Sequence, residues 1–366
     1  MHNKPLEALQ STEKMVDYDR NSTAQRRHAH VESARIRKLV ERLGKVEPEL
    51  RIVDYGCGPG RSAIETVEPA IAAYRAHLPN HPIAVCHADQ PGNDWNALFE
   101  LVAGRSGYLH NAVAVRTEAA IGSFYDQMVA PGSVALGTCF FASHWLRHAV
   151  RLHAPGTVWF ADLEGEARAE LAAIARQDWI RLLQCRALEL RSGGYLLVST
   201  LGAIPDDGEH NGTAASGRGT YRAMQAVAQE MADEGLIDPK VLDSFVFALW
   251  FMTAREAREP LETEATLAQA FEIDEILVEP APTNPTDLFG DSIGDPAEYA
   301  KRYVGYMRAF ADSTLRTQLI EPSAKDAGDA DRLATEFYRR LDQLYRTYLD
   351  KYACEIWYLT VVLRRT

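Results

Sequence analysis

Cysteine is scarce in this sequence and is not arranged in pairs. The chain has five cysteines, an odd number, and no two of them have CxxC spacing. They are Cys57, Cys86, Cys139, Cys185 and Cys354. Such scattered residues exclude a disulfide framework and a cysteine-based zinc site. We therefore expect reduced thiols, a cytoplasmic location and no bound metal.

Long apolar runs are also missing. The first twenty residues contain no hydrophobic segment of the kind found in a secretory signal. No stretch approaches the roughly 18 uninterrupted apolar residues that a membrane-spanning helix needs. The sequence therefore predicts a protein that is neither exported nor inserted in a membrane.

Positive charge is in deficit. Lysine and arginine number 39 against 51 acidic residues, which gives a formal net charge of −12. A nucleic-acid-binding protein needs a basic stripe to neutralise phosphates, and no lysine/arginine run here is long enough to form one. Nucleic acid is therefore excluded as a partner, and a small molecule is expected instead.

What the chain does contain is an alternation of short apolar runs and longer helical patterns, which is typical of a parallel sheet flanked by helices. The predicted strands are Arg51–Tyr55, Pro82–His87, Ala112–Arg116, Ser133–Phe140, Gly194–Leu201, Glu275–Glu279 and Glu355–Arg364. The predicted helices include Glu164–Glu189, Tyr221–Glu234, Asp238–Thr253, Ala297–Leu315 and Ala330–Tyr352. The fold class is α/β: a doubly wound, mostly parallel, seven-stranded Rossmann-like sheet with a mainly α-helical cap.

Local signals add detail to this prediction. Ser62 and Glu65 fit a capping box at the start of a helix that Pro69 should kink. Ser192–Gly194 should end the long helix, and the polar stretch Ala203–Gly219 reads as a mobile surface loop. We assign the core to residues 33–204, 254–283 and 352–366. The cap and its flanking helices then comprise residues 1–32, 205–253 and 284–351.

The strongest motif is Ile52-Val53-Asp54-Tyr55-Gly56-Cys57-Gly58-Pro59-Gly60, an apolar strand that runs into a glycine-rich turn. Glycine is needed where the backbone takes unusual dihedral angles or a ligand approaches closely. Arg61 occupies the position of the third glycine of the dinucleotide fingerprint, which excludes that fingerprint. An acidic residue at a strand end followed by GxGxG is instead the pattern of methyltransferases that bind S-adenosylmethionine.

A second acidic residue, Asp89, ends the next strand. A carboxylate at this position can accept hydrogen bonds from both hydroxyl groups of a ribose. The two acidic residues in this order predict a nucleoside site. No Ser/His/Asp or paired-carboxylate constellation is evident, and a carboxylate substrate, which is ionised at neutral pH, needs no general base for methylation.

With these motifs in place, the chain resembles the SABATH family of S-adenosylmethionine-dependent carboxyl methyltransferases, which act on salicylate, benzoate, indoleacetate and related acids. The matching segments run in the family's order. They are Tyr18-Asp19-Arg20-Asn21-Ser22-Thr23-Ala24-Gln25, the glycine turn, Asp89-Gln90-Pro91-Gly92-Asn93-Asp94-Trp95-Asn96, Gly122-Ser123-Phe124-Tyr125, Ser143-His144-Trp145-Leu146 and Cys185-Arg186-Ala187-Leu188-Glu189-Leu190 with Gly193-Gly194.

The resemblance implies a role for each matching residue. Gln25 and Trp145 would donate hydrogen bonds to the carboxylate of the substrate. The acid's pocket would be lined by Phe141, His144, Tyr221, Trp250 and Met307. The residues around S-adenosylmethionine would be Tyr18, Ser22, Asp54, Gly56, Gly58, Asp89, Gln90, Ser123, Phe124 and Cys139. The resemblance further implies a homodimer.

Several departures fall in the substrate pocket. The Gly-Gly pair that plant members carry before the Tyr18 segment is absent, and Phe141 stands where they often have tyrosine. The Asn-x-Pro-x-Tyr segment of the family's lid reads Val246-Phe247-Ala248-Leu249-Trp250. The sequence therefore leaves two classes of substrate acid, an aromatic acid or a fatty acid. N-methylation of a purine-like heterocycle and a non-catalytic ligand-binding role are the alternatives.

Overall fold

The protein is described by a computed structural model that covers residues 23–110, 112–204 and 215–366, with side chains from residue 31 onward. Its strands form one seven-stranded sheet. They are β1 (Leu50–Tyr55), β2 (Ile83–Asp89), β3 (Val115–Ile121), β4 (Val134–Phe140), β5 (Leu190–Leu201), β6 (Phe271–Pro280) and β7 (Trp357–Arg365).

The strand order is β3-β2-β1-β4-β5-β7-β6. Strands β1 to β5 pair in parallel, whereas β7 is antiparallel to both β5 and β6. All seven residues of β4 are buried, as expected for a parallel strand covered on both faces. The strand order reverses between β1 and β4, and open α/β sheets bind ligands beyond the carboxyl ends of strands at such a point. The predicted doubly wound, mostly parallel sheet is confirmed.

Nine helices of six residues or more lie within the described ranges. They are α1 (Thr23–Leu43), α2 (Arg61–His77), α3 (Trp95–Ala103), α4 (Gly165–Glu189), α5 (Arg218–Asp233), α6 (Ala254–Thr263), α7 (Ala265–Ala270), α8 (Pro296–Leu315) and α9 (Ala327–Thr347). Shorter helical turns occupy Phe160–Asp162, Pro239–Leu242, Gly290–Ser292, Arg316–Ile320 and Glu321–Ser323. No helix among these residues is long and apolar enough to cross a bilayer.

Helices α8 and α9 pack together over the carboxyl end of the sheet through buried tyrosines. The rings of Tyr303 and Tyr345 stack with centroids 4.4 Å apart. The Tyr303 hydroxyl donates a hydrogen bond to Asp287 and accepts one from the backbone N–H of Cys354 at 2.8 Å. Because Cys354 lies just before β7, this network anchors the two helices to the sheet.

The helix predicted over Asp238–Thr253 is wrong. Only Pro239–Leu242 is helical. The following residues are extended and form isolated bridges, with Phe245 opposite Arg151 and Leu249 opposite Trp145. All residues of the segment Phe245–Met252 are buried. When every residue of a segment is apolar and buried, the spacing of apolar residues cannot distinguish a helix from an extended segment.

Other local predictions also need correction. Helix α4 ends at Glu189 and β5 begins at Leu190, so Ser192–Gly194 lies inside the strand, where the register against β4 shifts. Gly193, at φ +78°, supplies the backbone conformation that such a bulge requires. Helix α2 begins at Arg61 with Gly60 as its cap, so Ser62 lies in the first turn instead of capping it.

Two other predicted elements have different boundaries. Strand β3 begins at Val115, three residues later than predicted, and α9 ends at Thr347. Residues 205–214 of the predicted surface loop lie outside the described ranges. Ala203 and Ala215, on either side of them, are buried and pair in an antiparallel bridge, and Arg218 and Gly219 belong to α5.

Candidate active site

The glycine turn follows β1 at the point where the strand order reverses. Gly56 and Gly58 have φ of +75° and +56°, values that L side chains rarely adopt. A Cβ atom at Gly56 would overlap the Cβ of Ala142, in the segment that follows β4, whereas a Cβ at Gly58 would meet no atom within 4 Å. Gly56 therefore permits close packing of two chain segments, and Gly58 leaves open space at the turn.

Asp54 is buried at the end of β1. Its Oδ1 accepts a hydrogen bond from Thr138 Oγ1 at 2.9 Å, and its Oδ2 lies 4.0 Å from Nδ1 of His87. Burial lowers the pKa of His87 to about 4, so this imidazole is neutral near pH 7. Burial also raises the pKa of Asp54 to about 7. A cation beside Asp54 would stabilise the ionised carboxylate and so offset the effect of burial on its pKa.

Asp89 ends β2 and faces the same turn. Its Oδ2 accepts a hydrogen bond from the backbone N–H of Gly58, and its Oδ1 accepts one from that of Gln90, each at 2.7 Å. The Asn93 side-chain amide donates to the carbonyl of Gly58 at 2.8 Å. Burial raises the pKa of Asp89 against the opposing effect of these backbone donors. Each carboxylate oxygen retains further lone pairs, so the group can still accept hydroxyl donors.

The segment after β3 forms a wall beside the turn. The position of a Cβ at Gly56 lies 3.7 Å from Cε1 of Phe124, so this ring adjoins the turn. The Ser123 hydroxyl accepts a hydrogen bond from the Tyr125 N–H at 3.3 Å. The Tyr125 hydroxyl donates to the backbone carbonyl of Trp145 at 2.6 Å, a link between this wall and the Trp145 segment that the sequence did not predict.

Trp145 is buried with its indole Nε1 lacking a hydrogen-bond partner among the described residues. Its ring lies 5.3 Å from that of His144 and 6.5 Å from that of Phe310. A buried donor without an acceptor costs about 1–3 kcal/mol. A ligand that accepts a hydrogen bond from this atom would remove that cost.

His144 is buried beside Trp145. Its Nδ1 lies 2.6 Å from Oγ1 of Thr200, on β5, and its ring packs edge-on against Phe251. Burial lowers the pKa of His144 to about 3, so the imidazole is neutral at physiological pH. The side chain adds polarity to this region without adding charge.

The remaining predicted pocket residues divide into two groups. The Tyr221 ring lies 5.8 Å from that of Phe310, which in turn contacts Trp145, and Met307 is buried on α8 beside Phe310. Trp250 instead packs on Phe160 at 4.8 Å and donates its indole N–H to Glu256 at the start of α6.

Two predicted residues lie on or after β4. Phe141 follows the strand with φ +52°, a strained value for a bulky residue and one more often found at functional sites. Its ring contacts that of Tyr358 at 5.8 Å. Cys139 is buried within β4, and burial raises the pKa of its thiol to about 12. That thiol is therefore protonated and unreactive.

Two predicted residues fall outside the described part of the chain, and the side chain of a third is not described. Tyr18 and Ser22 precede Thr23, and Gln25 lies within α1 where the side chains are not described. Conversely, Thr138 and Thr200 were not predicted, and Tyr125 was quoted in a motif without a role. The partner of each lies more than 15 residues away, so nothing in the local sequence indicates these contacts.

The fold and these residues define a Rossmann-like methyltransferase that binds S-adenosylmethionine. Residues 9–366 match the family described as SAM dependent carboxyl methyltransferase. The chain belongs to this family, and the sequence-based resemblance is confirmed.

Relatives and solved structures agree with this membership. Indole-3-acetate O-methyltransferase 1 of Oryza sativa subsp. japonica is 25% identical, over 89% of this chain and 84% of its own. Gibberellic acid methyltransferase 2 of Arabidopsis thaliana is 26% identical, over 57% of this chain and 58% of its own. The structure of loganic acid methyltransferase with SAH has a TM-score of 0.74 at 19% identity, covering 97% of this chain and 98% of that one, and shows the shared fold.

The donor and acceptor set of the site fits S-adenosylmethionine. That cofactor combines a positively charged methionine end with a ribose and an adenine. Buried Asp54 is an acceptor that a cation would stabilise, Asp89 offers free lone pairs, and Phe124 presents an aromatic ring at the same turn. Gly58 leaves room for close approach.

Proposed function

We propose that this enzyme forms the methyl ester of a small carboxylic acid. The substrate is an aromatic acid of the salicylate, benzoate or indoleacetate type, or a fatty acid. One observation carries the proposal: the buried indole N–H of Trp145 has no partner among the described residues and lies within aromatic walls. A carboxylate is the anion that such a donor would orient, and the aromatic rings suit an apolar body.

The mechanism follows from neutral donors and exclusion of water. S-adenosylmethionine supplies an activated methyl group for in-line displacement. Trp145, together with Gln25, orients the substrate carboxylate without a full positive charge, which leaves an oxygen lone pair free for attack. His144 is neutral as well. The protein's contribution is alignment in a dry cleft, and positioning of this kind lowers barriers by several kcal/mol.

The cofactor roles are assigned in the same way. Asp54, Gly56, Tyr18 and Ser22 would surround the methionine end, and Asp89 would bind the ribose. Gln90, Ser123, Phe124, Gly58 and Cys139 would complete the adenosine side. Phe141 and His144 of the core are proposed to line the acid's pocket. They would do so together with Tyr221, Trp250 and Met307 of the cap, which comprises residues 1–32, 205–253 and 284–351.

The test is a turnover assay with methyl-labelled S-adenosylmethionine and a panel of free aromatic and aliphatic acids. We expect a labelled methyl ester from at least one acid and no product from its amide, which lacks an anionic oxygen. Methylation of xanthosine-type heterocycles with inactivity on every acid would contradict the proposal. So would cofactor binding without turnover on any compound of either class.

The affinity for cofactor should depend on pH through Asp54. Its pKa in the free protein is raised to about 7, so the carboxylate binds a proton below that value. A positively charged ligand prefers the ionised form, so the Kd of S-adenosylmethionine should rise about tenfold for each pH unit below about 7 and level off above it. Isothermal titration calorimetry from pH 5.5 to 7.5 measures this. Asp54→Asn should bind weakly with a flat profile, and an unchanged slope in that variant would assign the titration elsewhere.

A cytoplasmic homodimer is the final element of the proposal. The cysteines of the described chain are all free thiols, and four of the five are buried, which suits a reducing compartment. Light scattering coupled to size exclusion should give twice the mass of one chain, and a monomer mass at micromolar concentration would refute the dimer.

A further inference from the structure

The segment that carries Phe124 has no regular secondary structure of its own. Residues 122–133 connect β3 to β4 without helix or strand hydrogen bonds. Yet Phe124 and Tyr125 are both buried, and Phe124 lies against the glycine turn. An irregular segment can hold an aromatic ring in one place only if other elements satisfy its backbone groups.

The last turn of α4 supplies those hydrogen bonds. Arg186 Nη1 donates to the carbonyl of Phe124 at 2.6 Å, and its Nη2 donates to that of Asp126 at 2.9 Å. Oε1 of Glu189 accepts from the backbone N–H groups of Met128 and Val129. Arg186 thus binds carbonyl groups in the first half of the segment, and Glu189 binds N–H groups in its second half.

The same two side chains contact the strand that leads into the glycine turn. Oε2 of Glu189 accepts a hydrogen bond from the Tyr55 hydroxyl at 2.6 Å. The guanidinium of Arg186 lies 3.9 Å from the centroid of the Tyr55 ring, a cation–π contact. Tyr55 immediately precedes Gly56, so one pair of residues contacts both walls beside the turn.

Arg186 and Glu189 also form a fully buried ion pair. Nε of Arg186 lies 2.8 Å from Oε2 of Glu189, and their side chains are 1% and 0% exposed. Burying two charges costs about as much as their attraction returns, so a buried pair adds little stability over apolar residues of similar volume. An apolar pair could not form directed hydrogen bonds to backbone groups, and such hydrogen bonds fix the position of the segment that receives them.

We infer that Arg186 and Glu189 are positioning residues for the cofactor: they hold Phe124 and the glycine turn at a fixed separation and so set the affinity for the adenosine part. The inference rests on the proposed cofactor site. The planar guanidinium is essential to it, because three separate nitrogens face the two carbonyls and the carboxylate, whereas a lysine ammonium presents all its donors from one atom.

The test compares Arg186→Lys and Tyr55→Phe with the wild type. Arg186→Lys should raise the Kd of both S-adenosylhomocysteine and 5′-methylthioadenosine by about tenfold, since it retains charge without the fork. Tyr55→Phe removes one hydrogen bond and should raise both by about fivefold. At saturating S-adenosylmethionine the KM for the acid should change less than twofold. Circular dichroism verifies that each variant is folded.

Tyr303→Phe is the matched control, because it also removes a buried hydroxyl from a hydrogen-bonded network, far along the chain in α8. It should lower the Tm and leave both Kd values unchanged. Folded Arg186→Lys with wild-type Kd values would overturn the inference while leaving the proposed function intact. An equal rise of Kd in Tyr303→Phe would overturn it too. Failure of the wild type to bind either nucleoside would overturn the proposed function as well.

Discussion

Trp145→Phe should lower kcat/KM for the acid by about 10²-fold, the usual cost of removing one preorganised hydrogen-bond donor from an active site. Phenylalanine keeps an aromatic ring beside His144 and Phe310 but deletes the indole N–H that has no partner among the described residues. The Kd of S-adenosylhomocysteine should stay within twofold of wild type. Steady-state kinetics and calorimetry measure the two quantities separately.

Trp179→Phe is the matched control for this substitution. Trp179 is also buried, but its indole N–H already donates to the carbonyl of Ala257 at 3.0 Å. We expect it to lose stability, by about 1 kcal/mol for the hydrogen bond, and to keep wild-type kcat/KM. Equal losses of kcat/KM in both variants, or equal losses of turnover and cofactor affinity in Trp145→Phe, would contradict the role assigned to Trp145.

Gly56→Ala should nearly abolish cofactor binding. The new methyl group overlaps the Cβ of Ala142, a backbone-attached atom that cannot rotate away, and the φ of +75° is itself unfavourable for alanine. Either the glycine turn or the segment after β4 must move. We expect the Kd of S-adenosylmethionine to rise at least about 10²-fold and the free energy of unfolding to fall by about 2–4 kcal/mol, the sum of strain and overpacking.

Gly44→Ala separates these two contributions. Gly44 has a similar φ of +60°, but a Cβ there meets nothing within 4 Å, and it lies at the end of α1. This variant should lose about 1–2 kcal/mol of stability from backbone strain alone and bind cofactor normally. A Gly56→Ala variant that matched Gly44→Ala in both measurements would show that the contact with Ala142 is unimportant.

The parts of the fold that the sequence predicted are those with local signals. Strands β1 and β4 were predicted to within one residue, because each is a short, mostly apolar run that begins directly after a polar residue. The turn at Gly56 and Gly58 was marked by its glycines, and Asp54 and Asp89 by their positions at strand ends. These features do not depend on which distant segment packs against them.

The parts that were missed depend on long-range packing. Phe245–Met252 contains mostly apolar residues, so no periodicity distinguishes a helix from an extended buried segment, and the bridges to Arg151 and Trp145 decide the outcome. Likewise, Glu189 contacts Tyr55, 134 residues away. The resemblance located Arg186 and Glu189 within a motif, but only the structure shows which backbone groups they contact.

The position of β7 in the sheet has a consequence for biosynthesis. Strand β6 reaches the sheet only through β7, which follows it in the chain and lies between β5 and β6. While the ribosome is still producing residues 281–356, one edge of β5 and one edge of β6 lack β7, the strand that pairs with both in the folded sheet. Open strand edges of this kind invite aggregation, so chaperone demand should be greatest late in translation and should end once residue 365 has emerged.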